Sequence, residues 1–560
     1  MAGEILTPNL LWNSLVIEQV PEAQTIGEYK EGDVSLSRLR VDGRVVSDGQ
    51  VKIYCVLARN VKKKKQPTLF ILQKFTDGAD ETLAMELAKK GFCAFVVNLG
   101  GNDGVNNNYT LYPNSLSFAN FKQTHIDMDT VTDDVKNTCW FEWGVTARYA
   151  LKYLKSLPFV GALGGLGIYD SATVLWNMTV TNEFDAYAFI LNAGWRAYKG
   201  NYKFTGTVDE EFSDDKIKYI AGIEPQSYAS HVKAPTIISL ATNSPDFDFE
   251  RAHDTFARIN PETYATINYT VGGIDCVDDV AFQNVLTFFE KTLVSKKTNE
   301  LPEDASIKCE IENGVAIVSV SACEENLKSI CIYASEETFD PAMRQWQKVT
   351  KHKKTGGKYI FKYLPFNQSG AVFFFAECVY KNGFVISSDV VAKKFAPNEV
   401  NFSHPSKILY SSREENAISA FYPAGANNKK PSGLLIKKGA CVIEKKGPMD
   451  ITGVTCESGL VSFKMGMKKF RPQDDGILLL DAHMTHGGML TIKLVSNRNM
   501  EKIEYTTRAK VASGDIWNNL KFPINVFKSP EGRSISSMEK IDSIEISADN
   551  EYLINNALWV

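Results

Sequence analysis

Between residue 51 and about residue 293 the sequence alternates short apolar runs with amphipathic stretches of helical spacing. No other feature restricts the fold as much. Val51–Leu57 (VKIYCVL), Thr68–Leu72 (TLFIL) and Phe92–Asn98 (FCAFVVN) predict strands, the last apolar enough to be buried on both faces. Glu81–Lys90 has helical spacing and stops at Gly91, a residue suited to the left-handed turn that ends a helix. Trp140–Leu157 predicts a long amphipathic helix closed by Pro158. LGGL follows as a short strand, then a turn at Gly167 and a helix over Ala172–Thr181. Ala186–Leu191, Thr236–Leu240 and Ala265–Tyr269 predict further strands, with helices over Phe249–Ile259 and Val280–Leu293. Strand and helix in alternation imply a mostly parallel sheet covered on both faces.

The texture changes at Lys296–Asp304 (KKTNELPED), a polar linker with a proline. Beyond it lie many short strands, among them IKCEIEN, VAIVSVSA, SICIYAS and AVFFFAECVY, separated by hairpin signals such as Asn313-Gly314 and Asn382-Gly383. A second boundary falls at Phe395–Pro397, and the rest is again strand-rich. A chain of 560 residues is too long for one hydrophobic core. The reading is therefore α/β plus all-β in three domains. Residues 1–297 form an α/β unit, 298–395 an immunoglobulin-like or fibronectin-III-like sandwich, and 396–560 a larger jelly-roll-type sandwich of the carbohydrate-binding kind.

A net charge of −4 gives no electrostatic reason to expect nucleic acid or an anionic membrane as partner. The Lys62–Lys65 run precedes a strand and reads as a solvated loop. No stretch reaches the length of apolar sequence that a membrane span needs. The first residues carry Glu4, Asn9 and Asn13 where a signal peptide needs an unbroken apolar core. The ten cysteines are scattered, with no C-x-x-C pair, and several sit in apolar runs. A reducing cytoplasm is the expectation.

The stretch Leu166–Trp176 (LGIYDSATVLW) joins a short apolar run to a helix. Four segments resemble the α/β-hydrolase superfamily, nearest to carboxylesterases of the acetyl-xylan-esterase and dienelactone-hydrolase kind. They are TLFILQKFTDGADETLAMELAKKGFCAFVVNLGG, YALKYLKSLP, LGGLGIYDSATVLWNM followed by FDAYAFILNAGW, and APTIISLATNSPDFDF. The likeness spans about half the chain. It implies that the Gly167 turn is the elbow on which such enzymes present a nucleophile between small residues. Gly167 and Ser171 supply the small flanks, but the centre is Tyr169, whose phenol is a poor nucleophile unless activated. Asp170 and Ser171 are the fallback nucleophiles; Ser171 has the bulky flanks Tyr169 and Thr173, and Asp170 has Ile168 and Ala172.

The resemblance also implies an acid after strand Thr236–Leu240, where Asp246 and Asp248 stand. Either is equally well read as a residue preceding a helix. The histidine should follow the next strand, in YTVGGIDCVDD, and none is there. His253 falls within a predicted helix, which leaves His125 and His231 as the fallback bases. A triad needs a base within hydrogen-bond reach of its nucleophile. The degenerate elbow and the missing histidine together predict a protein without conventional Ser-His-Asp esterase activity. Its expected role is binding or assembly, with carbohydrate or a small acylated ligand as partner and self-association as a further option. The alternative is an active ester hydrolase with a non-standard nucleophile and base.

Other features are weaker. Gln73–Asp80 occupies the oxyanion-hole position without a Gly-rich motif, and Leu99–Asp103 matches no nucleotide-binding pattern. Trp140 and Trp143, with Tyr169, are candidates to line a cleft. The competing reading for the two tryptophans is core packing. His483 and His486 lack a carboxylate cluster, and no metal or other cofactor is expected. Trp517, Phe522, Phe527 and Trp559 are candidate sugar-stacking faces, set against burial in the sandwich.

Overall fold

The structure, a computed structural model, describes residues 4–75, 78–101, 108–121, 128–205, 212–274, 277–365, 371–394, 408–411, 419–420, 442–498 and 501–560. Two strands that the strand–helix alternation does not reach come first. β1 (Ala23–Glu31) and β2 (Val34–Val46) pair antiparallel, and β2 pairs antiparallel with β3 (Gly49–Asn60). β1 escapes a pattern search because most of its residues are exposed, so neither face carries an apolar alternation. Its register shifts between Thr25 and Gly27, a bulge at Ile26.

The strands that follow are β4 (Gln66–Leu72), β5 (Cys93–Val97), β6 (Val160–Ile168), β7 (Ala186–Ile190), β8 (Thr236–Ala241) and β9 (Ala265–Thr270). Among the described residues they complete a nine-stranded sheet of order β1-β2-β3-β5-β4-β6-β7-β8-β9, with parallel pairing from β5 to β9. This mostly parallel sheet is the one that the strand–helix alternation implies. β5 and β7 are buried at every position, as expected of strands covered on both faces.

The helices are α1 (Pro8–Trp12), α2 (Glu81–Lys89), α3 (Cys139–Ser156), α4 (Ser171–Asn177), α5 (Asp214–Gly222), α6 (Pro225–Tyr228), α7 (Phe249–Phe256) and α8 (Asp279–Phe289). Caps set several of their starts. The Asp80 carboxylate accepts from Leu83 N, the Thr138 hydroxyl from Phe141 N, and the Asp278 carboxylate from Ala281 N. α3 lies one residue earlier at each end than its spacing predicts, because Thr138 caps its start and Leu157, before Pro158, is extended.

The remaining described strands form antiparallel sheets. β10 (Ser306–Glu312), β11 (Val315–Ser321), β14 (His352–Thr355) and β15 (Lys358–Tyr363) form one sheet. β12 (Leu327–Glu336), β13 (Gln347–Val349), β16 (Ala371–Tyr380), β17 (Val385–Ser387) and β18 (Val391–Lys394) form another. In the last part, β19 (Ile408–Ser411), β21 (Ile443–Lys446), β22 (Thr452–Thr455), β24 (Ile477–His483), β27 (Asn518–Pro523) and β29 (Leu553–Trp559) share a sheet. It faces β20 (Ser419–Ala420), β23 (Leu460–Ser462), β25 (Gly488–Ser496), β26 (Ile503–Val511) and β28 (Ser543–Ala548) across a common core.

The second part is welded to the first. β17 lies against edge strand β9, where Tyr269 N donates to Ser387 Oγ at 3.1 Å. The Asn284 amide from α8 donates to Val385 O at 2.6 Å and accepts from Val385 N at 2.8 Å, repeating with a side chain the pairing of a strand neighbour. Above β8 the Asn243 amide donates to the carbonyls of Ala342 and Arg344. Arg344 itself pairs with Glu250 of α7, both side chains fully buried. Apolar packing is continuous across the seam, with Phe249 and Tyr269 meeting Trp346 and Phe375. Each such fully buried side chain contributes about 1.5–3 kcal/mol.

Candidate functional site

At the carboxyl end of β6 the chain turns sharply into α4, and Tyr169 sits at the turn with φ of 58°. Left-handed backbone is costly for an aromatic residue and marks this bend as over-determined by its surroundings. Three features hold it. A Cβ at Gly167 would lie 2.7 Å from Ala172 Cα, so the strand approaches the helix only with glycine there. The Ser171 hydroxyl donates to the Gln73 carbonyl after β4. The Asn192 amide donates to Tyr169 O and Thr173 Oγ1. Tyr169 therefore stands at the centre of this strand-to-helix turn, with Gly167 and Ser171 two residues to either side.

The Tyr169 ring is clamped. Its hydroxyl donates to Asp246 Oδ2 at 2.7 Å, the Lys74 ammonium lies 3.8 Å from its centroid, and Phe247 meets it edge-on at 4.9 Å. Only 7% of the residue is exposed. Asp246 also accepts from Lys199 Nζ at 2.9 Å. Burial pushes the Asp246 carboxyl up, but the Tyr169 hydroxyl and the Lys199 ammonium outweigh it and hold the group below the usual carboxylate range. Asp170 pairs with Arg196 at 2.5 Å, and there burial prevails and raises the carboxyl. Lys74, Arg196 and Lys199 belong to no motif. Their only signal in the sequence is position, each following a strand at the carboxyl edge of the sheet, where loops of such folds meet.

The other candidates lie elsewhere. Asp248 caps α7, accepting from Glu250 N and Arg251 N. Ser171 is fully buried, its hydroxyl committed to Gln73. His231 stands in a short turn before β8, at the opposite end of that strand from Asp246. His253 is buried in α7 against Tyr269 and Phe256, and burial lowers its imidazole to about 4. His125 lies outside the described residues. Trp140 and Trp143 are buried at 2% and 0%. Their indole N–H groups donate to Met128 O and Ala119 O, and both rings pack on Phe75. A groove of about 930 Å³ does exist, lined by residues such as Arg38, Arg40, Lys52 and Leu111, but it lies on β1–β3, away from the elbow.

His483 meets Ile516 O at 3.0 Å, while His486 is exposed on the turn after β24. Among the described residues no group of three or more His, Cys, Asp or Glu side chains is placed to hold a metal ion. Phe522, Phe527 and Trp559 are buried; Trp517 is not fully so. Among the described residues no helix is long and apolar enough to cross a membrane.

No protein-family model matches the chain, and no curated protein matches it. Solved structures do. Acetyl xylan esterase 1 from Thermoanaerobacterium sp. JW/SL YS485 is 10% identical, with a TM-score of 0.38, over 52% of this chain and 94% of that one. The acetyl xylan esterase from Paenibacillus sp. R4 is 12% identical, with a TM-score of 0.39, over 51% and 92%. Est1E from Butyrivibrio proteoclasticus, solved with ferulic acid bound, is 12% identical, with a TM-score of 0.32, over 43% and 94%. These likenesses concern about half of the chain, and none bears on its chemistry.

Proposed function

On an α/β-hydrolase-like first half whose elbow carries a tyrosine, we propose that this chain is a binding or assembly protein without conventional Ser-His-Asp esterase activity. One observation carries the reading: the Tyr169 hydroxyl donates to Asp246, the side chain a catalytic histidine would otherwise address. The Asp246 carboxyl is held below its usual range and is a weak base, so the phenol that donates to it is poorly activated as a nucleophile. Lys74 and Phe247 fill the space over the ring. The fallback residues give an active alternative little support, because Ser171 is buried and Asp170 is paired with Arg196.

The test is covalent. A fluorophosphonate probe should leave the full chain unlabelled, and p-nitrophenyl acetate should hydrolyse no faster than with buffer alone. Labelling that Ser171→Ala abolishes, or turnover lost in Asp170→Asn, would reverse the reading.

We further propose the finer architecture of three units, 1–297, 298–395 and 396–560, with an immunoglobulin-like sandwich second and a jelly roll third. The antiparallel pairing of the described strands in both later parts favours it.

A further inference from the structure

Seven of the eight tryptophans of this chain are buried, and Trp517, just before β27, is the exception. It lies over the outer face of the sheet that contains β24 and β29. A Cβ at Gly453 of β22 would come within 2.9 Å of the indole, and one at Gly447 within 2.8 Å. Only glycine leaves room for the ring there. The indole N–H donates to Pro448 O at 3.1 Å, and His483 packs 5.8 Å away, centroid to centroid. The ring is thus fixed before any ligand arrives.

The next rung of the same sheet is polar across four strands. Leu478, Leu480, Ala482, Ile554 and Ala557 point inward to the core, so alternation sends Asp481 and Asn556 outward. Register sets Asp481 opposite both Asn519 of β27 and Asn556 of β29, and Asn556 opposite Ser411 of β19. Asn519 Nδ2 donates to Asp481 Oδ1 at 2.9 Å, which orients both groups. The Asn556 amide makes no hydrogen bond among the described residues. A flat aromatic thus stands beside a row of carboxylate, amide and hydroxyl groups.

We infer that this outer face binds a neutral oligosaccharide of pyranose units. A pyranose ring has an apolar C–H face that suits an indole, and hydroxyls that both donate and accept. Carboxylate and amide side chains satisfy such hydroxyls in pairs. Asp481 repels a phosphate backbone, and a polar rung crossing four strands is the wrong complement for an apolar protein surface. The inference deepens the binding reading but stands on residues far from Tyr169 in the chain, so the two fail separately. The elbow reading is judged by the fluorophosphonate probe, this one by sugar.

The experiment titrates the full chain with cellohexaose, xylohexaose and mannohexaose while following tryptophan emission. At least one should give a saturable change. Asn556→Ala, at a position outside the core, should weaken that binding about tenfold. Trp517→Ala should abolish both binding and the emission change. Wild-type affinity in Asn556→Ala, or no response to any of the three sugars, overturns the inference. The Asn556 variant keeps the test decisive if loss of Trp517 unfolds the sheet.

Discussion

Tyr169 and Asp246 are joined hydroxyl to carboxylate at 2.7 Å, tying the bend after β6 to the loop after β8. Tyr169→Phe keeps the ring between Lys74 and Phe247 and removes only the donor. The expected cost is about 1.5–3 kcal/mol, the usual value for a hydrogen bond to a charged group. Urea unfolding at neutral pH measures it. Asp246 is held below its ordinary range, so its contribution is present above the unfolded carboxylate pKa and fades as pH falls through the folded value. The phenylalanine variant should therefore lose less stability than wild type on acidification.

Arg344 and Glu250 are both fully buried, and each is the other's ionic partner across the seam between the first two parts. Arg344→Met strands a buried carboxylate and should cost about 3–5 kcal/mol, whereas adding Glu250→Leu should restore much of that loss. Thermal unfolding of the single and double variants decides the matter.

Asn284 supplies both halves of the amide bridge to Val385. Asn284→Ala leaves a buried N–H and a buried carbonyl without partners, at about 1–3 kcal/mol. Hydrogen exchange at the Val385 amide should quicken more than exchange in β4 or β5, in the middle of the sheet.

Glu224 is fully buried, accepting from Ala197 N at 2.8 Å and from the Gln226 amide, and burial raises its carboxyl to about 7. A carboxyl with a raised folded pKa binds its proton more tightly in the native state. Stability should therefore fall as pH rises from the unfolded value near 4.5 to about 7, by roughly 3 kcal/mol at most. Glu224→Gln should flatten that part of the profile, as denaturant midpoints measured from pH 4.5 to 7.5 would reveal.

Much of the sheet was legible because β5 to β9 are read by local rules: strand length, apolar content and alternation with amphipathic helical stretches. The turn into α4 was legible for the same reason, since Gly167 and Ser171 are two residues either side of Tyr169. What stayed hidden depends on distance along the chain. Lys74 and Asp246 meet Tyr169 from 95 and 77 residues away, and no local pattern records such meetings. β1 stayed hidden for a different reason: a strand wet on both faces has no hydrophobic period to detect. Arg344 reads as one more loop cation until Glu250 is found beneath it.

The two borders of the nine-stranded sheet are shut in different ways. At one, the chain's own β17 takes the place a neighbour would need; at the other, the bulge at Ile26 and the charges of Glu28, Lys30 and Glu31 spoil β1 as a template. Growth of this one sheet by adding strand to strand is thereby disfavoured at both of its borders.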